Sequence, residues 1–230
     1  MTFPRTWHSP CTWPPDSSLL EPVVYVVDDD PLFRVSLLKL LESVHVAARP
    51  FASAQEFLSR FDPEQPACLL LDVRMPGMGG LELQERLLAD GCSIPIIFIS
   101  CYADWPMAVR AMRKGAFDFL EKPFNEQQLL DTAQEALRLA MRQRQRQLLS
   151  REASARLSRI SGREREILHE LATGKRSKEI ADRLGLSSKT VETHRANIMA
   201  KTGVRSVAEL VQLMWLSACT ASQSCCVSNP

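Results

Sequence analysis

Leu69-Leu70-Leu71-Asp72-Val73-Arg74-Met75-Pro76-Gly77-Met78-Gly79-Gly80 decides how the front of this chain folds. Its apolar start is too short for a helix and runs at once into a proline and three glycines, which reads as a fully buried strand ending in a tight loop. Asp72 is the last residue of that strand. In mid-strand its carboxylate would be an unpaired buried charge, whereas at the strand end it stands at the rim where open α/β sheets bind ligands. Taken alone, Asp72 reads equally well as a cap for the following turn. Its neighbours in the fold separate the two readings.

On the N-terminal side, Pro22–Val27 is a β-branched strand that ends in Asp28-Asp29-Asp30-Pro31. Pro31 suits the first turn of a helix, with acidic residues at the positive end of its dipole, and Leu32, Val35, Leu38 and Leu41 follow at helical spacing. Val44–Ala48 reads as a short strand, and Ser53-Ala54-Gln55-Glu56 as a capping box. On the C-terminal side come a helix with Leu81, Leu83, Leu87 and Leu88, a strand Ile94–Ile99 ending in Ser100, and a helix over Met107–Lys114 stopped by Gly115. A strand Phe117–Leu120 then leads to Lys122-Pro123. Strands alternating with helices predict a doubly wound parallel α/β sheet of five strands, which in the flavodoxin-like arrangement stand in the order 2-1-3-4-5.

In that order the crevice lies where the first and third strands meet, which gathers Asp28, Asp29 and Asp72. Three such carboxylates repel unless a cation neutralises them, and hard oxygen donors at a shallow, wet rim favour Mg²⁺. Lys122 supplies a second positive charge and Ser100 a hydroxyl for a shared anion. The chemistry that uses these parts is phosphoryl transfer onto a carboxylate, with Asp72 as nucleophile. Singly, each residue has an ordinary reading: a solvated helix start, a loop hydroxyl, a surface lysine. Jointly, at the ends of the central strands, they read as one site.

Val26-Val27-Asp28-Asp29-Asp30, Leu71-Asp72-Val73-Arg74-Met75-Pro76, Ile99-Ser100 and Glu121-Lys122-Pro123-Phe124 resemble the signature of two-component receiver domains over about 22–145. Pro106-Met107-Ala108-Val109 and Ala116-Phe117-Asp118-Phe119 are similar to the FixJ-type subgroup. The resemblance implies that Asp28, Asp29 and Asp72, with the backbone carbonyl of Arg74, hold Mg²⁺ and that Asp72 accepts phosphate from a sensor histidine kinase. It also implies that Ser100 bonds the phosphoryl group, Lys122 pairs with it, Phe119 swings inward as Ser100 moves, and the Lys122–Pro123 bond is cis. Cys101 and the bulky Tyr102 stand where the family usually has a small residue, which places phosphate lifetime in this loop.

The rest of the chain differs in charge. Residues 21–124 carry 10 Lys and Arg against 15 Asp and Glu, 125–159 carry 7 against 4, and 160–218 carry 10 against 7. A near-neutral total of +1 therefore hides an acidic front and a basic back suited to a polyanion. Asn125 caps a helix through Leu129, Leu130, Ala133, Ala136, Leu137 and Ala140. Its last turns run into Arg142-Gln143-Arg144-Gln145-Arg146-Gln147, a polar stretch without an apolar stripe. This reading gives a receiver domain over 22–141 and a helical basic linker over 142–158.

Ser161-Gly162-Arg163-Glu164 is a second capping box. Helices follow that are closed by Gly174, Gly185 and Gly203, and a fourth runs from Ser206 through Met214. The short pair joined at Gly185 forms a helix-turn-helix whose second helix, 188–201, would enter a major groove. On it Val191 and Ile198 pack inward, and Glu192, Thr193 and Ala196 face outward among Lys189, His194, Arg195 and Lys201. The runs from Ser161 to Leu168 and from Lys178 to Ala181, with Lys189-Thr190-Val191-Glu192-Thr193-His194, resemble the LuxR-type DNA-binding domain. That resemblance implies an all-α four-helix domain over 159–218. In it Glu192, Thr193 and Ala196 face bases and Lys189, Thr190, His194, Arg195 and Lys201 complete the DNA-binding set. Gly162 replaces the family's usual Pro at the first helical position.

No apolar run approaches the roughly 20 residues that span a bilayer, and no signal pattern opens the chain. Residues 1–21 read as a flexible N-terminal extension and 219–230 as a disordered tail. The expected protein is a cytoplasmic transcription factor rather than an enzyme, limited to phosphoacceptance and its own dephosphorylation. Its expected partners are a sensor histidine kinase, double-stranded promoter DNA and a second copy when phosphorylated, with RNA polymerase admitted as a further one. The alternative is an atypical regulator whose receiver binds a protein or ligand without phosphate.

Overall fold

The computed structural model describes residues 20–101 and 105–218. The stretches expected to be a flexible extension and a disordered tail lie outside these residues almost entirely, as does Tyr102. β1 (Val23–Val27), β3 (Ala67–Asp72) and β4 (Ile96–Ser100) are buried at every position, because helices cover both faces of the sheet. With β2 (Ala47–Phe51) and β5 (Asp118–Glu121) they form one parallel sheet in the order β2-β1-β3-β4-β5. Residues alternate strictly between two cores. Tyr25, Leu69, Leu71 and Phe98 face Phe57 and Leu83, while Val24, Val26, Leu70, Ile97 and Ile99 face Leu37, Leu41, Leu129 and Ala133.

The first core is roofed by α2 (Ala54–Arg60), α3 (Gly80–Ala89) and α4 (Trp105–Arg113). The second is covered by α1 (Pro31–Ser43) and the front half of α5 (Glu126–Leu157). Asp30 caps α1, its Oδ1 accepting from the Leu32 and Phe33 amides at 2.9 and 3.4 Å, with Pro31 as the first helical residue. The Lys122–Pro123 bond is cis.

β2 begins at Ala47, three residues later than the apolar pattern Val44–Ala48 suggests. The amides of Val44, His45 and Val46 are spent on the last carbonyls of α1, Leu41 and Glu42, and His45 turns the chain with φ 58°. Ladder pairing therefore starts only at Val23↔Ala47.

The connector is a continuation of α5, one helix of 32 residues. No apolar stripe is legible in it, yet Ser150 and Ala153 are buried at 2% and 1% exposure. Small side chains give a weak hydrophobic signal but let another helix approach, here α9 (Val207–Ala218). Ala153 and Leu157 join the core of α6 (Gly162–Ala172), α7 (Ser177–Leu184), α8 (Ser188–Thr202) and α9, built on Ile167, Leu168, Ile180, Val191, Ile198 and Leu210.

Candidate functional site

The register places the C-terminal ends of four strands side by side. Val27 pairs with Leu71 and Asp72 with Ile99, while Ser100 pairs with Glu121, so Asp28, Asp72, Ser100 and Lys122 emerge together. Asp28 is 3% exposed, Asp72 8% and Ser100 2%. Such burial of two carboxylates is tolerable only with partners. Each accepts an amide two residues on, Asp28 Oδ1 from Asp30 and Asp72 Oδ2 from Arg74, both at 2.8 Å. The remaining oxygens share one cation: Lys122 Nζ stands 3.0 Å from Asp28 Oδ2 and 3.3 Å from Asp72 Oδ1.

Burial raises the pKa of Asp72, with Lys122 pulling it down and Asp28 pushing it up. For Lys122, burial acts to lower the pKa, but the bond and charge of Asp28 with the charge of Asp72 outweigh it and hold it above its ordinary value. The ammonium also lies 3.6 Å from the centroid of the Phe33 ring, which in turn meets Phe124 edge-on. Arg34 donates to the Asp28 carbonyl. Phe33 and Arg34 were not singled out from the sequence, where they read only as the first turns of α1. Their signal was their place one turn after the acidic strand end.

Asp29 is exposed beside this pair. Three carboxylates gathered on one ion were expected; among the described residues no group of three His, Cys, Asp or Glu side chains is close enough to hold a metal. Lys122 occupies the space between Asp28 and Asp72, and Asp29, next along the chain, points to solvent. The donor chemistry, oxygens only at a rim, nevertheless suits Mg²⁺. Phe119 is half-buried with its ring 6.2 Å from that of Phe98, and the backbone of Lys122 donates to the Ser100 carbonyl. Cys101 is exposed.

Gly80 is a site residue that composition did not reveal. A Cβ there would lie 2.3 Å from the carbonyl oxygen of Asp72 and 3.1 Å from Leu71 Cγ. The start of α3 thus rests directly on the backbone that presents Asp72.

In the second half, α7 and α8 are joined through Gly185, left-handed at φ 66°. Val191 and Ile198 are fully buried, and Lys189, Glu192, Thr193 and Ala196 are exposed; Thr190, His194 and Arg195 are half-buried. The Ser177 hydroxyl of α7 donates to Glu192, the Ser187 hydroxyl caps α8 at the Thr190 amide, and the Thr193 hydroxyl donates to the Lys189 carbonyl. Nδ1 of His194 is buried without a hydrogen-bond partner among the described residues. Lys201 differs from the free cation that its place on the helix suggests. Its Nζ lies 2.8 and 2.7 Å from the two carboxylate oxygens of Glu164, the residue that closes the Ser161 capping box.

Residues 24–134 match the response regulator receiver domain, and residues 158–214 match the bacterial regulatory proteins of the luxR family. The transcriptional regulatory protein TdiR of Thauera aromatica is 43% identical over 191 residues, covering 83% of this chain and 84% of that protein. The chain belongs to the response regulators. The transcriptional regulatory protein FixJ of Azorhizobium caulinodans is 40% identical over 194 residues, 84% of this chain and 92% of its own. Among solved structures, the response regulator StyR matches with a TM-score of 0.77 at 46% identity, over 85% of this chain and 98% of that one. Full-length FixJ from B. japonicum matches with a TM-score of 0.52 at 36% identity, over 87% and 98%. This response regulator therefore joins a receiver to a LuxR-type DNA-binding domain and is a transcriptional regulator.

The Glu164–Lys201 pair is expected to make the effector domain of this response regulator acid-sensitive. Lys201, with the Ser161 amide, holds the Glu164 carboxyl down at about 2, against its ordinary 4.5. Since the folded pKa is depressed, the stabilisation is fully present above 4.5 and lost as pH falls through about 2. Lys201→Gln is expected to lower the thermal midpoint of the effector domain at pH 7 and to flatten its acid transition between those values. Lys189→Gln, at an exposed position without such a partner among the described residues, leaves both unchanged. Calorimetry across pH on the two variants is the check.

Proposed function

We propose that a sensor histidine kinase phosphorylates this response regulator on Asp72, and that the phosphorylated chain dimerises and binds promoter DNA at two half-sites. The observation that carries the reading is the single Lys122 ammonium bridging Asp28 and Asp72 at a strand-end rim. A buried carboxylate with a fixed cation beside it is a nucleophile whose added phosphoryl charge already has a partner.

In the transfer, an Asp72 carboxylate oxygen forms a bond to phosphorus as the phosphorus–nitrogen bond of the kinase's phosphohistidine breaks. The electron pair stays on the imidazole nitrogen. Lys122 turns from the carboxylate towards the incoming phosphoryl oxygens, and the Arg74 amide keeps the other Asp72 oxygen aimed. Asp28, Asp29 and Asp72 with the Arg74 carbonyl are the groups to hold Mg²⁺, which supplies charge neutralisation at the phosphoryl oxygens when bound. Ser100 then donates its hydroxyl to the phosphoryl group, and the Phe119 ring, already against Phe98, follows into the space vacated. That rearrangement biases the surface of α4, β5 and α5 towards a second copy.

On DNA, α8 lies in the major groove with Glu192, Thr193 and Ala196 towards base edges and Lys189, Thr190, His194 and Arg195 towards the backbone. Lys201 keeps α8 seated through Glu164 and contributes its charge at the rim. The setting is the cytoplasm, with RNA polymerase as the downstream partner, and the only chemistry beyond acceptance is the chain's own dephosphorylation.

Sedimentation and footprinting on DNA from the chain's own genomic neighbourhood, with and without acetyl phosphate and Mg²⁺, test the reading. Phosphodonor-dependent dimerisation and protection that Asp72→Asn abolishes is the expected result. Dimerisation and protection indifferent to both donor and Asp72→Asn would instead establish the phosphate-independent alternative.

A further inference from the structure

The loop over 61–66, between α2 and β3, lies at the end of the sheet opposite Asp72 and meets α5 where that helix leaves the receiver. Glu64 in this loop takes two guanidinium groups from α5. Arg144 Nη2 lies 2.6 Å from Oε2, and Arg151 holds both oxygens, with Nη1 2.7 Å from Oε2 and Nη2 2.8 Å from Oε1. Arg144 and Arg151 are seven residues apart, two turns on one face of the helix. The three side chains border a cavity of about 220 Å³ walled by Phe61, Pro66, Cys92, Ile94, Ala140 and Gln147.

Exposed ion pairs are usually worth little, so the burial of these groups matters. Glu64 and Arg151 are 42% and 59% exposed, but the side chain of Arg144 is only 14% exposed and its Nη1 is sealed with no hydrogen-bond partner among the described residues. Arg144 thus sits with an orphaned donor, and Glu64 is its charge partner among the described residues. A guanidinium left buried without its counter-charge leaves for water. Arg144 belongs to α5, so whatever releases its guanidinium also releases a hold on that helix.

We propose that Glu64, Arg144 and Arg151 form a clip that fixes the effector-bearing half of α5 to the receiver, so that the two domains move as one body until the clip opens. The position supports this. Arg151 lies two residues before Ala153, where α5 joins the effector's core, and no other ion pair among the described residues ties the receiver to α5 beyond residue 142. The clip is a salt device rather than a pH device. Arg151 and Arg144 hold the Glu64 carboxyl at about 2, so its charge persists as pH falls well below 4.5, while added salt screens the exposed part of the contact.

Backbone amide exchange on the full-length chain, without phosphodonor or DNA, tests the clip separately from the role of Asp72. Glu64→Gln is expected to speed exchange over 142–153 by about tenfold while β1 and β3 exchange as before. Arg144→Gln with Arg151→Gln, which leaves the loop's own residues intact, speeds exchange over the same stretch to a similar extent, and high salt moves the natural chain towards the Glu64→Gln pattern. In small-angle scattering the single variant gains radius of gyration. Unchanged exchange over 142–153 in Glu64→Gln would overturn the proposal. So would faster exchange in Glu64→Gln that the double variant of α5 fails to reproduce, since the loop itself would then be the cause.

Discussion

Lys122→Met lowers the stability of the receiver by about 3–5 kcal/mol at pH 7 in metal-free buffer, the cost of leaving buried charges without their partner. Asp28 and Asp72 side chains are 4% and 11% exposed, so water replaces little of what the ammonium provided. The pH dependence has a definite sign. Burial already raises Asp72 above its ordinary 3.8, and loss of Lys122 removes the strongest opposing influence. A carboxyl with a raised folded pKa favours the fold below 3.8 and withdraws that support as pH rises through the raised value. The deficit of Lys122→Met should therefore shrink on acidification. Adding Asp72→Asn to Lys122→Met recovers a large part of it at pH 7, because the charge left unpaired is then gone, and urea titration of the four proteins of this cycle gives the coupling directly.

Gly80→Ala reaches the same site through the backbone. The new methyl carbon would stand 2.3 Å from the Asp72 carbonyl oxygen, a contact that no side-chain rotation relieves. Either α3 retreats from β3 or the end of β3 moves, at a cost of about 1–3 kcal/mol. The functional loss is larger than the stability suggests, since displacement of a reacting group by about 1 Å costs on the order of a hundredfold in rate. Phosphoryl incorporation from acetyl phosphate should fall far more than the urea midpoint. Gly79→Ala, whose Cβ would meet the Val73 carbonyl at 3.3 Å, is the milder control.

These two predictions mark where sequence sufficed and where it did not. Asp28, Asp72, Ser100 and Lys122 were legible because each is a polar residue ending an apolar run, and a parallel sheet brings such ends to one rim. The parallel sheet followed from the alternation with helices, and its order from taking the sheet as flavodoxin-like. Gly80 was not legible: glycine after a strand reads as loop, and only the seating of α3 on β3 makes its missing side chain a requirement. Lys201 looked like one more cation on a DNA-facing helix because its partner Glu164 is 37 residues away. Glu64 and Arg151 are separated by 87, beyond any local pattern. The strand after α1 was misplaced for another reason. Val44 and Val46 have the apolar pattern, but their amides serve the helix end and are unavailable to a ladder.

Everything proposed for the switch depends on where a phosphoryl group attaches. The most direct measurement is peptide mapping by mass spectrometry after brief incubation of the full-length chain with acetyl phosphate and Mg²⁺, beside Asp72→Asn treated identically. The account predicts one phosphoryl group on the peptide containing Asp72 and none in the variant. An unmodified natural chain, or a phosphoryl group that the variant still carries on another residue, would contradict it.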